Sequence, residues 1–163
     1  MEILEVSTPM IEKTSDFAKG VFIDYYNGLI SHEQAVYMAD LFLSKEAIGK
    51  LIEEGAVFKV VRENGSIIGF CEYKKEEERL FLSKLYARKD QRGKGVGRFM
   101  FEDVKKYAIE NGLNKIYLTV NKGNTPSYQI YLHLGFKVID SVVNDIGHGY
   151  VMDDYIMEYT IDA

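Results

Sequence analysis

The sequence predicts an α/β domain built on a mixed sheet, and three observations point there. Apolar residues recur at helical spacing through the first third of the 163 residues, and the next stretch switches to β-rich runs. Helix and strand then alternate to the end, and a glycine-rich turn lies where a long strand gives way to an amphipathic helix.

A short strand fits Ile3–Val6. Ser7-Thr8-Pro9 supplies a cap and a first-turn proline for a helix to about Tyr26, which Asn27-Gly28 stops. Ser31, with Gln34 three residues on, has the spacing of a capping box for a second helix through Phe42. Ser44 caps a short third helix, Lys45 to Glu54. Ala56–Arg62 and Ser66–Lys74 then read as strands joined by Glu63-Asn64-Gly65, and Asn-Gly is a strong hairpin signal. Arg79–Ala87 is another long strand, after the solvated charged turn Lys75-Glu76-Glu77-Glu78. Val96, Phe99, Met100, Val104, Tyr107 and Ala108 set a helix from Val96 to Asn111, with Gly112 as its C-terminal cap. Lys115–Val120 is a strand, Pro126 to Leu134 a short helix closed by Gly135, and Phe136–Val143 with Tyr150–Thr160 a final antiparallel pair. No linker, repeat or low-complexity tract interrupts residues 1–163, so one domain is expected.

Composition narrows the function classes. Lys+Arg 20 against Asp+Glu 25 gives a net charge of −5, which disfavours nucleic acid and is compatible with a cationic small substrate. No stretch approaches the roughly 18 apolar residues of a membrane span, and Met1-Glu2-Ile3-Leu4-Glu5 is acidic where a signal peptide is basic. A cytoplasmic protein without a membrane or nucleic-acid partner is expected. Cys71 is the single cysteine and lies in an apolar run, so it reads as a buried structural thiol. His32, His133 and His148 show no ligand spacing, and no metal is expected.

The chemistry concentrates in Tyr86-Ala87-Arg88-Lys89-Asp90-Gln91-Arg92-Gly93-Lys94-Gly95-Val96-Gly97-Arg98. Amides at a helix start are unpaired and carry partial positive charge, so they suit a phosphate. Glycines let the turn adopt positive φ and let a bulky diphosphate approach the backbone. A Walker loop would need Lys-Ser or Lys-Thr after the last glycine, where Arg98-Phe99 stands. The glycine spacing also differs from a dinucleotide fingerprint and arrives late in the chain. A plain glycine turn would account for one or two of these glycines, not for three at alternate positions between basic residues.

Arg92-x-x-Gly95-x-Gly97 resembles the (Q/R)-x-x-G-x-(G/A) signature of the GNAT acetyltransferases, whose loop binds the pyrophosphate of coenzyme A. The resemblance implies the GNAT fold: a mixed, mostly antiparallel sheet flanked by helices and splayed between the fourth and fifth strands. It implies that the amides of Gly93, Lys94, Gly95, Val96, Gly97 and Arg98, with Arg92, hold the phosphates of acetyl-CoA. It also places Leu85, Tyr86 and Ala87 beside the pantetheine. A second segment, Asn124-Thr125-Pro126-Ser127 through Tyr131 to Gly135-Phe136, is similar to the family's N-x-x-A-x-x-x-Y-x-x-x-G-F pattern. By that resemblance Asn124 and Ser127 lie near the pantetheine arm and Tyr131 near the thioester sulfur. Serine replaces the commoner alanine at 127, as it does in the spermidine/spermine acetyltransferases. The ending, Gly147 to Tyr159, is similar to the last strand of polyamine-type and other small-molecule members.

Acetylating an amine requires a neutral nitrogen, a polarised carbonyl and a proton for the departing thiolate. A lysine-like amine has a pKa of about 10.4, so an acidic group that removes its proton helps. Tyr131 is the candidate proton donor; its alternative is core packing with Tyr128 and Leu132. Polyamine acetyltransferases carry acidic residues in the middle of the strand before the phosphate loop, where this chain has Ser83 and Lys84. Glu72 on the neighbouring strand is therefore the candidate proton acceptor, against a solvent-facing strand role. Asp153 and Asp154 are candidates for the acceptor site, with at most one pointing inward. Tyr25 and Tyr26 are candidate acceptor walls, with core packing as the alternative. The expected function is acetyl transfer to a small primary amine, with a polyamine or diamine preferred. Protein N-terminal or lysine acetylation and an idle CoA-binding sensor module are the competing readings. A homodimer is compatible with the aromatic-rich chain.

Overall fold

The computed structural model describes residues 1–162 and has one seven-stranded sheet in the order β1-β2-β3-β4-β5-β7-β6. The chain runs β1 (Glu2–Glu5), α1 (Ile11–Tyr26), α2 (His32–Leu43), α3 (Lys45–Glu53), β2 (Val57–Glu63), β3 (Ser66–Lys75) and β4 (Leu80–Ala87). It continues through α4 (Val96–Glu110), β5 (Lys115–Asn121), α5 (Thr125–Leu134), β6 (Lys137–Gly147) and β7 (Tyr150–Thr160). Neighbouring strands are antiparallel except β4 and β5, which are parallel. Among the described residues no helix is long and apolar enough to cross a membrane.

Local chemistry accounts for most boundaries. The β2–β3 turn places Asn64 at φ 54° and Gly65 at φ 80°, the pair of positive angles that a tight hairpin requires. Ser31 and Ser44 each accept a hydrogen bond from the amide three residues on, both at 3.1 Å. Gln34 does not complete the capping box; its amide nitrogen reaches the Val151 carbonyl at 3.4 Å and ties α2 to β7. The Ser7 side chain caps nothing, and Thr8–Met10 form a single 3₁₀ turn ahead of α1.

The sheet separates two apolar clusters. Val60 and Phe70 pack with Phe22, Met38 and Ile48 on the α1–α3 side, together with Met152 of β7. Val61, Cys71 and Tyr73 pack with Met100, Val104 and Phe136 on the α4–α5 side, together with Met157 of β7. Strand β3 is buried on both faces, which is why its residues read as a near-continuous apolar run. Cys71 is fully buried, and burial pushes its thiol up to about 12.

Two irregularities position the site. The register of β3 against β4 shifts between Glu72 and Tyr73, so Ser83 is an extra residue that bends β4. Strands β4 and β5 pair only at Leu80 with Ile116 and Phe81 with Tyr117. Beyond those pairs they diverge, and a gap opens between Leu82–Ala87 and Leu118–Asn121.

Candidate active site

The gap opens onto a cavity of about 400 Å³. Leu85 and Ala87 of β4 line one side, Val96, Gly97 and Arg98 of the first turn of α4 a second, and Ser127 and Tyr131 of α5 a third. The turn before α4 uses left-handed backbone at Gly93 (φ 78°) and Gly95 (φ 83°), where a side chain would be strained. The position that a Cβ would take is open at both glycines. No side chain caps α4, and the first amide bonded inside the helix is that of Phe99, which donates to the Gly95 carbonyl at 2.9 Å. The amides of Val96, Gly97 and Arg98 therefore stand free of helical acceptors at the wall of the cavity. Bare amides, open space above the glycines and two arginines fit a diphosphate. The Arg92 guanidinium lies over the Tyr25 ring at 4.1 Å from its centre, so the charge is held against the rim. Lys94 is exposed and stands outside the lining.

Asn124 begins α5, where its Oδ1 accepts from the Ser127 amide at 3.2 Å. That oxygen serves as the helix cap, and Asn124 does not line the cavity. Strand alternation turns Tyr86 away from Leu85 and Ala87, onto the α1–α3 face, where its ring meets Phe70 at 5.5 Å and Tyr25 at 4.5 Å. Tyr25, Tyr26, Tyr86 and Tyr131 form one cluster at the gap. Burial raises the Tyr25 phenol while Arg92 opposes the rise. Burial pushes Tyr26 up to about 12, with Tyr86 opposing and Asp154 adding to the rise. Tyr131 rises through burial first and then through Tyr25 and Tyr26, and Tyr86 rises for the same kind of reason. These phenols stay protonated at neutral pH, which suits a proton donor.

The two aspartates of β7 separate cleanly. Asp153 is exposed and binds the Lys122 ammonium at 3.0 Å. Asp154 is 7% exposed, faces the same side as Met152, and lies near enough to Tyr26 to raise its phenol. Burial, and then Asp153, push the Asp154 carboxyl up to about 6, with Lys122 opposing. Glu72 is also buried, and neither it nor Asp154 lines the cavity, but Glu72 pairs with the Lys84 ammonium at 2.9 Å. A carboxylate held by its own lysine is poorly placed to take an amine's proton, so the expectation for Glu72 does not fit its surroundings. The sequence reading missed Gln91, Gln129, Ile130, His133 and Leu134, which also line the cavity. The spacing Ser127, Ile130–Tyr131, Leu134 on one helical face was the available signal for part of that set.

Residues 19–136 match the acetyltransferase (GNAT) family. The chain belongs to that family. This GNAT chain is 24% identical over 153 residues to spermidine N(1)-acetyltransferase of Thermoplasma acidophilum, covering 89% of its own length and 93% of that protein's. It is 28% identical over 85 residues to streptothricin acetyltransferase of Streptomyces lavendulae. That match covers 51% of this chain and less than half, 45%, of the relative. The GNAT fold is shared with the crystal structure of PaiA N-acetyltransferase from Thermoplasma acidophilum in complex with coenzyme A. The TM-score is 0.84 and the identity 24%, with 98% of each chain covered.

Proposed function

We propose that this acetyltransferase moves the acetyl group of acetyl-CoA to a primary amine of a small molecule, a polyamine or diamine in preference. One observation carries the reading. A bare helix start with two left-handed glycines and the half-buried Tyr131 line the same cavity, at the gap where β4 and β5 part. The relative named for spermidine acetylation spans 89% of this chain and supports the acceptor class. The net charge of −5 favours the approach of a cation.

The amides of Val96 to Arg98, with Arg92 and Arg98, hold the diphosphate, and the free edge of β4 at Leu85 and Ala87 runs beside the pantetheine. Acetyl-CoA supplies the acyl group as an activated thioester. An unpaired β4 amide at the splay polarises the carbonyl. Tyr131 donates a proton to the departing sulfur, and its burial keeps that proton in place until it is needed.

An amine panel with acetyl-CoA, followed by release of free thiol, tests the reading. Polyamines and diamines should turn over, and binding of acetyl-CoA without thiol release on any amine would leave an idle binding module instead. Tyr131→Phe should lower kcat about 100-fold, the lower end for lost acid catalysis, with the Kd for CoA changed little. Unchanged turnover would remove Tyr131 from the chemistry.

A further inference from the structure

We infer that Asp154 is the group that binds the acceptor's ammonium and takes its first proton, an inference that rests on the acetyl-transfer reading above. Asp154 pairs across the ladder with Asn121, the last residue of β5, which lies four residues past the final β4–β5 pair at Tyr117. It therefore stands at the wide end of the gap. Its side chain lies on the α1–α3 face, opposite α4, and Tyr25 of that same face reaches the cavity. Tyr26 lies near both Asp154 and Tyr131, so a single phenol links the two groups.

The carboxylate also lacks a partner. Its Oδ1 is buried without a hydrogen bond among the described residues, although burying such a group unpaired is costly. The ionisable groups around it are Tyr26 at the end of α1, Lys122 after β5 and Asp153 on its own strand. Lys122 is bound to Asp153 on the other face of β7, so among the described residues no cation forms an ion pair with Asp154. A carboxylate near Tyr26, whose ring packs on that of Phe22 with centres 4.7 Å apart, has an aromatic neighbour of the kind that receives an ammonium. Its value of about 6 leaves it ionised at neutral pH yet basic enough to accept a proton.

The transfer balances as follows. The ammonium gives one proton to the Asp154 carboxylate, and the freed nitrogen bonds to the acyl carbon as the carbon–sulfur bond breaks. The sulfur takes the Tyr131 proton, the second nitrogen proton restores the Tyr131 phenol, and Asp154 releases its proton to water. The products are an amide, a free thiol and one proton.

Two acceptors of different basicity read this role: an alkyl diamine, cationic at pH 7, and an aryl amine, already neutral there. Asp154→Asn should lower kcat/KM for the diamine about 100-fold and leave the aryl amine within a few-fold of the parent. The parent's kcat/KM for the diamine should fall as pH drops through about 6, and the variant should lack that limb. Asp154→Glu should recover part of the diamine rate, and CoA binding by calorimetry should match the parent in both variants. Equal losses on both amines, or none on the diamine, would overturn the assignment while leaving acetyl transfer intact. A parent protein idle on every amine would instead refute acetyl transfer itself.

Discussion

Two carboxylates, Glu72 and Asp154, are buried in the sheet, and their partners give them different chemistry. Glu72 is balanced by Lys84 at 2.9 Å, whereas Asp154 keeps an unpartnered oxygen. The imbalance has a thermodynamic signature. Between the ordinary value of 3.8 and about 6, folded Asp154 holds a proton that the unfolded chain has released. Its contribution to stability is therefore most favourable below the lower value, declines through that window and is least favourable above about 6. Asp154→Asn should raise stability at pH 7.5 by about 1–2 kcal/mol, a figure reduced for partial solvent screening, and the gain should vanish near pH 4. Thermal melts at the two pH values check this. From the sequence, alternation allowed at most one of Asp153 and Asp154 to point inward. Which one depends on the β5 and α1 contacts, and these are set by residues far along the chain. The place of Tyr131 on the cavity wall was legible because its spacing from Asn124 and Gly135 is local.

At the scale of elements, the start of α4 is fixed by its close approach to β3. A Cβ at Gly69 would lie 2.9 Å from Val96 Cγ1 and 3.2 Å from the Tyr86 carbonyl oxygen. The oxygen belongs to the backbone and cannot swing aside. Gly69→Ala should therefore destabilise the fold by about 1–3 kcal/mol and weaken CoA binding by displacing Val96, both measurable by denaturation and calorimetry. The glycine turn itself was legible because left-handed backbone leaves few alternatives to glycine. The end of β6 was not. The sequence boundary stood at Val143, but the strand continues to Gly147 because Met152 and Val151 of β7 pair with Asn144 and Asp145. The turn falls instead at His148 and Gly149, both at positive φ. The Tyr37 hydroxyl fastens this hairpin to α2 by donating to the Ile146 carbonyl at 2.8 Å.

Across the whole molecule, the order of strands and helices was legible from period changes, but the place of β7 between β5 and β6 was not. That choice rests on pairings between distant segments, for which no local residue pattern differs. The two β4–β5 residue pairs leave much of the strands' facing edges without backbone partners, so a ligand lying between them adds contacts that the free protein lacks. CoA at about 100 times its Kd should add about 2.7 kcal/mol of stability, which for a chain of this size raises Tm by about 5–10 °C. Hydrogen exchange should slow at residues 82–87, 96–98 and 118–121, with α2 and α3 unchanged. The tyrosine cluster has a practical outcome. With no tryptophan in the chain, ultraviolet emission comes from its 12 tyrosines, four of which crowd the gap. Occupancy of the cleft by either substrate should therefore alter the native fluorescence, giving a label-free optical titration without an engineered reporter.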